Sequence, residues 1–407
     1  MFTLVIAVLG MPDLFQTKSR LLSPLLLTLP LLLWADAAIF RQKWSRIRPG
    51  IIDFVLLSSF AYFIIRDIKV HTVTNAFFGI SIFYLSSQLV QRRRYFTYVI
   101  MAFAGLASIS SLLALLELAI FKNNLASLFG ITYTDPRTVF PRIGSTLLHP
   151  VVFGAFLVMA LPICGYIYFA SGTRKVRIFG LVSTALCILA ILFTFAKGSW
   201  LIAVLMGAVF SLLLVRNLDL MKLLFIATLA AVILLPLAIL WQPVSQQTMI
   251  RIKTSVNSRT YMWRYAWRGF EQNQVFGVGQ GNGASSLVNM SKVLQIYNQK
   301  QAGPSAVDNY YLDFLLEEGL AGFLPFVLFL ILLFYRGSAA LLKPGHQRQL
   351  LIPVFAALAA ICLDALTFDA LAWWSMFICF WLIAGVLYGL STPSRENISY
   401  PIVKNAN

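Results

Sequence analysis

The sequence predicts an all-α, polytopic integral membrane protein with about eleven or twelve spanning helices and one large structured loop. Three observations predict it. Of the 407 residues, 59% are hydrophobic and only 12% charged, against roughly 25% charged in soluble domains. Mean hydropathy is +0.80 over the whole chain, so the apolar character is not confined to one segment and lipid is the natural solvent. The basic residues, finally, concentrate in alternate short connections between apolar runs.

A spanning helix needs about 20 largely apolar residues. Such runs occupy 22–40, 51–65, 74–90, 96–120, 150–171, 177–196, 199–215, 220–241, 316–335, 350–367 and 371–390. Residues 1–10 add a short run that reads as a first span, a truncated one or an interfacial segment. No basic stretch precedes it, so no cleavable signal peptide is expected.

Orientation follows from the connections. Arg41–Arg48, Arg92–Arg94, Arg174–Arg177, Arg216–Lys222 and Arg336–Arg348 fall in every second loop, which assigns them and the C-terminal tail to the cytoplasm. Residues 66–73, 121–149, the tight turn at Lys197, the segment 242–315 and the turn 366–370 then face outward. The whole chain, 1–407, reads as a single transmembrane domain, with 242–315 a large loop inside it. Loops beyond about 15 residues are usually functional or disordered, and aromatic and apolar residues at helical spacing in 242–315 predict that this one folds.

The net charge of +17 is explained by these membrane-flanking loops, so a nucleic-acid partner is not expected. Cys164, Cys187, Cys362 and Cys379 lie inside apolar runs, and His71, His149 and His346 are scattered. Neither set has metal-ligand spacing, so neither a metal nor another cofactor is expected.

The outward segments hold the candidate chemistry. Ser258 reads as an N-cap, placing Arg259 in a first helical turn. Trp263, Trp267 and Phe270 then form one stripe, with Met262 and Ala266 beside them, and Arg264 and Arg268 form another. One reading is an interfacial anchor. The other is that Arg259 faces an anionic ligand, because a first-turn cation opposes the helix dipole unless a phosphate is its partner. Phe276–Gly283 (FGVGQGNG), including Gly279 and Gly281, reads as a flexible loop or as backbone that approaches phosphate. Asp308 and Asn309 stand at the mouth of a spanning helix, where Asp308 is either a cap or a general base. Lys197 sits at the end of an apolar run, snorkelling or functional. Arg142, followed by Ile143-Gly144-Ser145 and His149-Pro150, precedes another span.

Taken in order, these segments resemble the O-antigen ligase and polymerase superfamily of bacterial envelope glycosyltransferases, over roughly residues 140–335. Arg142-Ile143-Gly144-Ser145…His149-Pro150 is similar to the family's R-x-G-T…P-N. Lys197-Gly198-Ser199-Trp200 is similar to its S-R-G turn, with Lys197 where Arg is usual. Ser258-Arg259…Trp263 resembles the start of its large periplasmic loop, and Phe276–Gly281 its G-x-G-x-G stretch. Val307-Asp308-Asn309-Tyr310…Glu318-Gly319-Leu320-Ala321-Gly322 resembles its H-N-x-x-L…E-x-G-x-x-G segment.

The resemblance implies a multi-pass protein of the bacterial inner membrane that transfers a glycan from an undecaprenyl-diphosphate carrier to an acceptor hydroxyl at the periplasmic face. The acceptor would be a glycan or a lipid-linked unit. It implies Arg259 and Asp308 as catalytic residues and Arg259, Lys197 and Arg142 as diphosphate ligands. Ser258, Asn309, Gly279 and Gly281 would have supporting roles. Ligases carry His where this chain has Asp308, which leaves a polymerase or another transferase of the superfamily open. The alternative is a transporter or flippase of lipid-linked glycans, for which Asp364 and Asp369 are the best residues. The transferase reading requires Lys197, Arg259 and Asp308 to converge on one outward cavity.

Overall fold

The computed structural model describes residues 50–66, 70–91, 93–118, 142–214, 246–283, 286, 307–343 and 346–392. The apolar runs expected at 1–10, 22–40 and 220–241 lie outside the described residues. Those residues form ten α-helices: α1 (Ile51–Arg66), α2 (Val70–Leu89), α3 (Arg93–Leu116), α4 (Pro150–Ala170), α5 (Arg174–Thr194), α6 (Lys197–Leu214), α7 (Gln246–Gln272), α8 (Tyr310–Leu342), α9 (His346–Asp364) and α10 (Trp374–Ser391). Nine of the ten coincide with expected apolar runs; α7 lies in the long loop.

Among the described residues, five stretches are long and apolar enough to cross a membrane: Tyr95–Leu116, Pro150–Ala170, Arg174–Thr194, Tyr310–Leu342 and Trp374–Ser391. α4 is the hub. Pro150 opens it at its first position, where a missing N–H costs nothing, and nearly every side chain from Val152 to Cys164 is buried. α3, α5, α6 and α9 pack around it. α10 is also largely buried and lies along α2. Gly385 and Gly389 let its backbone meet the backbone of α2 at Phe83 and Ser87, an approach a side chain would block.

The helices at the rim are apolar on their exposed faces. Leu320, Leu324, Leu328, Ile331 and Tyr335 of α8 follow helical spacing and are exposed. Water would oppose that arrangement and hydrocarbon favours it. Packing, lengths and apolar rims together make this a polytopic membrane protein.

One buried carboxylate ties three helices together. Asp53 in α1 accepts hydrogen bonds from the Gly50 N–H (2.7 Å), the Tyr84 hydroxyl of α2 (2.7 Å) and the Tyr388 hydroxyl of α10 (2.8 Å). Three donors satisfy a charge that burial alone would make costly.

Candidate functional site

α7 begins at Gln246, twelve residues before the N-terminus expected at Ser258. Ser258 is therefore not a cap, and Arg259 is not in a first turn. Nothing between Gln246 and Ser258 is glycine or proline, so no residue there breaks the helix. The helix-dipole reason for a phosphate beside Arg259 falls with this. Another takes its place: the Arg259 Nε lies 3.4 Å from the Asp308 Oδ2, in a half-exposed ion pair.

The same helix docks by Ala266 and Phe270, which are buried, while Trp267 stays half exposed. Ala266 packs with Val307 and Leu316, and the Trp263 Nε1 donates to the Val307 carbonyl (3.0 Å). These contacts place Arg259 over the start of α8.

Asp308 is not the cap of α8. Asn309 is, accepting from the Leu312 N–H (3.1 Å) in extended geometry. Asp308 precedes it with φ 51°, a left-handed turn that aspartate tolerates better than most residues. With Asn309 satisfying the helix, the Asp308 carboxylate is left for Arg259.

α8 is broken at Gly319, whose φ/ψ of 61°/−167° is open essentially to glycine alone. The break frees backbone groups on both sides, and the glycine-rich segment satisfies them. Val278 and Gly279 donate N–H groups to the Leu316 and Glu317 carbonyls (2.9 Å each), and Leu320 and Ala321 donate to Gln274 and Val275 (2.8 and 3.0 Å). The N–H of Gly277 goes to Asn273 (2.7 Å). The segment expected as a flexible loop or phosphate cradle is thus a clasp whose first N–H groups point into protein. Gly283 donates its N–H to the Glu317 carboxylate (3.0 Å).

Sequence reasoning did not single out the residue that locks this clasp. Arg66, the last residue of α1, reaches the Glu318 carboxylate (3.2 Å), the Tyr62 hydroxyl (2.8 Å) and the Gly277 carbonyl (3.3 Å). Tyr62 in turn donates to the Glu318 carbonyl (3.0 Å). The signal was available: Glu317 and Glu318 interrupt an apolar run, and buried carboxylates require partners.

Lys197 heads α6 and is exposed. Its neighbour Gly198 lies against Thr367, and Ser199 donates to the Asp364 Oδ1 (3.1 Å). The turn after Asp364 also reaches α8, where the Tyr310 N–H donates to the Ala365 carbonyl (2.9 Å). The structure thus joins Arg259 to Asp308 directly, whereas Lys197 touches neither through these contacts: only its neighbours Gly198 and Ser199 reach the turn after Asp364, and none of the three expected residues lines the cavity described below. Arg142 has a structural partner: its Nε donates to the Thr194 carbonyl at the C-terminus of α5 (3.0 Å), where a cation is favoured.

Two titratable groups belong to this region. Burial raises the Asp369 carboxyl to about 6, partly offset by a backbone hydrogen bond and reinforced to a lesser degree by the nearby Asp308 charge. Burial, then the Arg142 charge, lowers His149 to about 4. A neutral imidazole therefore stacks on Phe368 (5.3 Å) and packs on Trp373 (5.2 Å).

Beside the clasp, a cavity of about 120 Å³ opens between α1, α2, α8 and α10, walled by Phe60, Phe63, Phe314, Phe377 and Trp381. Gln280 also lines it, and its buried Oε1 has no hydrogen-bond partner. Among the described residues no cluster of His, Cys, Asp or Glu could hold a metal ion.

Fold and site thus define a polytopic membrane protein that carries a folded cationic and acidic segment beside an apolar, aromatic cavity. Residues 182–327 match the family model described as O-Antigen ligase. That stretch, about a third of the chain and running from mid-α5 to mid-α8, contains Lys197, Arg259, the clasp and Asp308. Arg142 lies outside it. No curated protein matches the chain.

Proposed function

We propose that the protein transfers a glycan from an undecaprenyl-diphosphate carrier to an acceptor hydroxyl on the extracytoplasmic side of the bacterial inner membrane. The observation that carries this reading is the Arg259–Asp308 pair, held within the matched stretch, with Tyr310, two residues on from Asp308, lining the aromatic cavity. A lipid-linked donor needs cations for its diphosphate and an apolar surface for its lipid, and no nucleotide, because its sugar is already activated.

In this reading the pair is a resting state. The donor diphosphate takes over the Arg259 guanidinium, for which a phosphate is a bidentate partner. Asp308 is released to accept the proton of the acceptor hydroxyl. The acceptor oxygen bonds to the anomeric carbon as the bond from that carbon to the phosphate oxygen breaks. The electron pair leaves on the diphosphate, whose charge Arg259 balances with Lys197 and Arg142. Asn309 keeps the turn that presents Asp308.

The test is the envelope glycan profile of a deletion strain carrying wild type, Arg259→Ala or Asp308→Asn at matched protein levels. The expected result is lost transfer in both variants, with carrier-linked glycan accumulating on the outer leaflet. Accumulated single repeat units would assign a polymerase, and full chains a ligase. Wild-type transfer by Arg259→Ala would overturn the site. Accumulation on the inner leaflet would favour the transporter or flippase.

A further inference from the structure

At the opposite end of α5 from the candidate site, the turn Ser171-Gly172-Thr173 joins α4 to α5. An open cavity of about 430 Å³ lies over it, lined by Tyr168, Gly172, Arg174, Arg177, Ile178 and Leu181. Tyr168 is nearly buried and forms its wall. A Cβ on Gly172 would meet nothing within 4 Å, so the mouth is open. α4 and α5 also approach closely at Gly180, where a Cβ would meet the Tyr168 backbone.

The lining changes character along one helical face. Arg174 and Arg177 are three residues apart and neighbours on the helix surface. The Arg177 guanidinium donates to the Ser171 carbonyl (3.2 Å), which holds it across the turn. Among the described residues no carboxylate pairs with Arg174, Lys175 or Arg177. Ile178 and Leu181, half exposed, continue the stripe into the apolar span, followed by Val182 and Leu189.

We propose that this notch binds an anionic phospholipid of the surrounding bilayer. Its phosphate sits between Arg174 and Arg177, and an acyl chain runs along Ile178, Leu181 and Val182. Basic pockets between spanning helices recognise acidic headgroups in this way, and a guanidinium suits a phosphodiester better than an ammonium does. The continuity of cation and apolar stripe matches the order of headgroup and chain in one lipid. The site is independent of the glycan-transfer reading.

The full-length protein in nanodiscs of equimolar phosphatidylglycerol and phosphatidylcholine would be released into native mass spectrometry. Wild type should retain phosphatidylglycerol preferentially. Arg174→Gln/Arg177→Gln should lower that retention about tenfold, equivalent to about 1.4 kcal/mol. Arg264→Gln/Arg268→Gln, which removes two exposed cations from α7, should retain it as wild type does. Both pairs are on the surface, and unchanged gel-filtration elution would show that folding is intact. Undiminished retention by the first variant, or an equal loss by the second, would overturn the proposal. An equal thermal stabilisation by inorganic phosphate alone would assign the notch to a free anion and overturn it too.

Discussion

Asp369 shows how a single carboxylate can report on the site. Its carboxyl is raised from 3.8 to about 6 by burial and by Asp308, and its buried Oδ1 has no hydrogen-bond partner. The folded state therefore holds this proton more tightly than the unfolded chain does, and stability falls as pH rises from about 4 to about 6. The loss is complete above that window and is at most about 3 kcal/mol. Asp369→Asn should melt higher than wild type at pH 8 and no higher at pH 4, as read by thermal unfolding in detergent. Arg66 offers a second test. Arg66→Ala strands the Glu318 carboxylate, which is 3% exposed, and should cost about 3–5 kcal/mol. Adding Glu318→Gln should recover part of that, a coupling that a double-mutant cycle in denaturant measures.

The clasp is the element on which the candidate site depends. Gly277 and Gly319 each have positive φ, and a Cβ on either would meet backbone of the other strand of the clasp at 2.5 Å. Gly319→Ala should therefore destabilise by more than about 3 kcal/mol. Gly281→Ala meets nothing within 4 Å and should cost only the strain of its φ, about 1 kcal/mol. Limited proteolysis of the 273–283 segment would rank the two. The sequence made the glycines visible but not their use, because the partners of Val278 and Gly279 lie some forty residues away in chain order. The start of α7 was missed for a local reason. Ser258 has good capping chemistry, but the residues before it are tolerated in a helix, and docking through Ala266 and Phe270 stabilises the longer form.

At the scale of the molecule, apolar runs and basic loops were enough to find nine of the helices, because length and hydropathy are properties of each segment alone. The pairing of Arg259 with Asp308 was legible only as a shared face. The sequence placed both on one side of the bilayer, and tertiary packing decided which side chains touch. The side itself can be measured. Cysteine at Gly172 and at Gln272, in a background lacking the four native cysteines, should label from opposite faces of the membrane. α5, α6 and the apolar run 220–241 would separate them by three crossings. Labelling from one face would remove a crossing from that count.

The clasp also dates the final stage of assembly. Its halves belong to residues 274–279 and 316–321, and its lock, Arg66, is made some two hundred residues earlier. As the chain emerges from the ribosome, α1 and α7 must wait until residue 321 has been synthesised and α8 has entered the bilayer. Until then the glycine-rich segment has no carbonyls to meet, and Arg259 has no carboxylate. The site is therefore silent until α8 is in place, with only α9 and α10 still to follow, and a chain that stops short of α8 would reach the membrane without ever forming it.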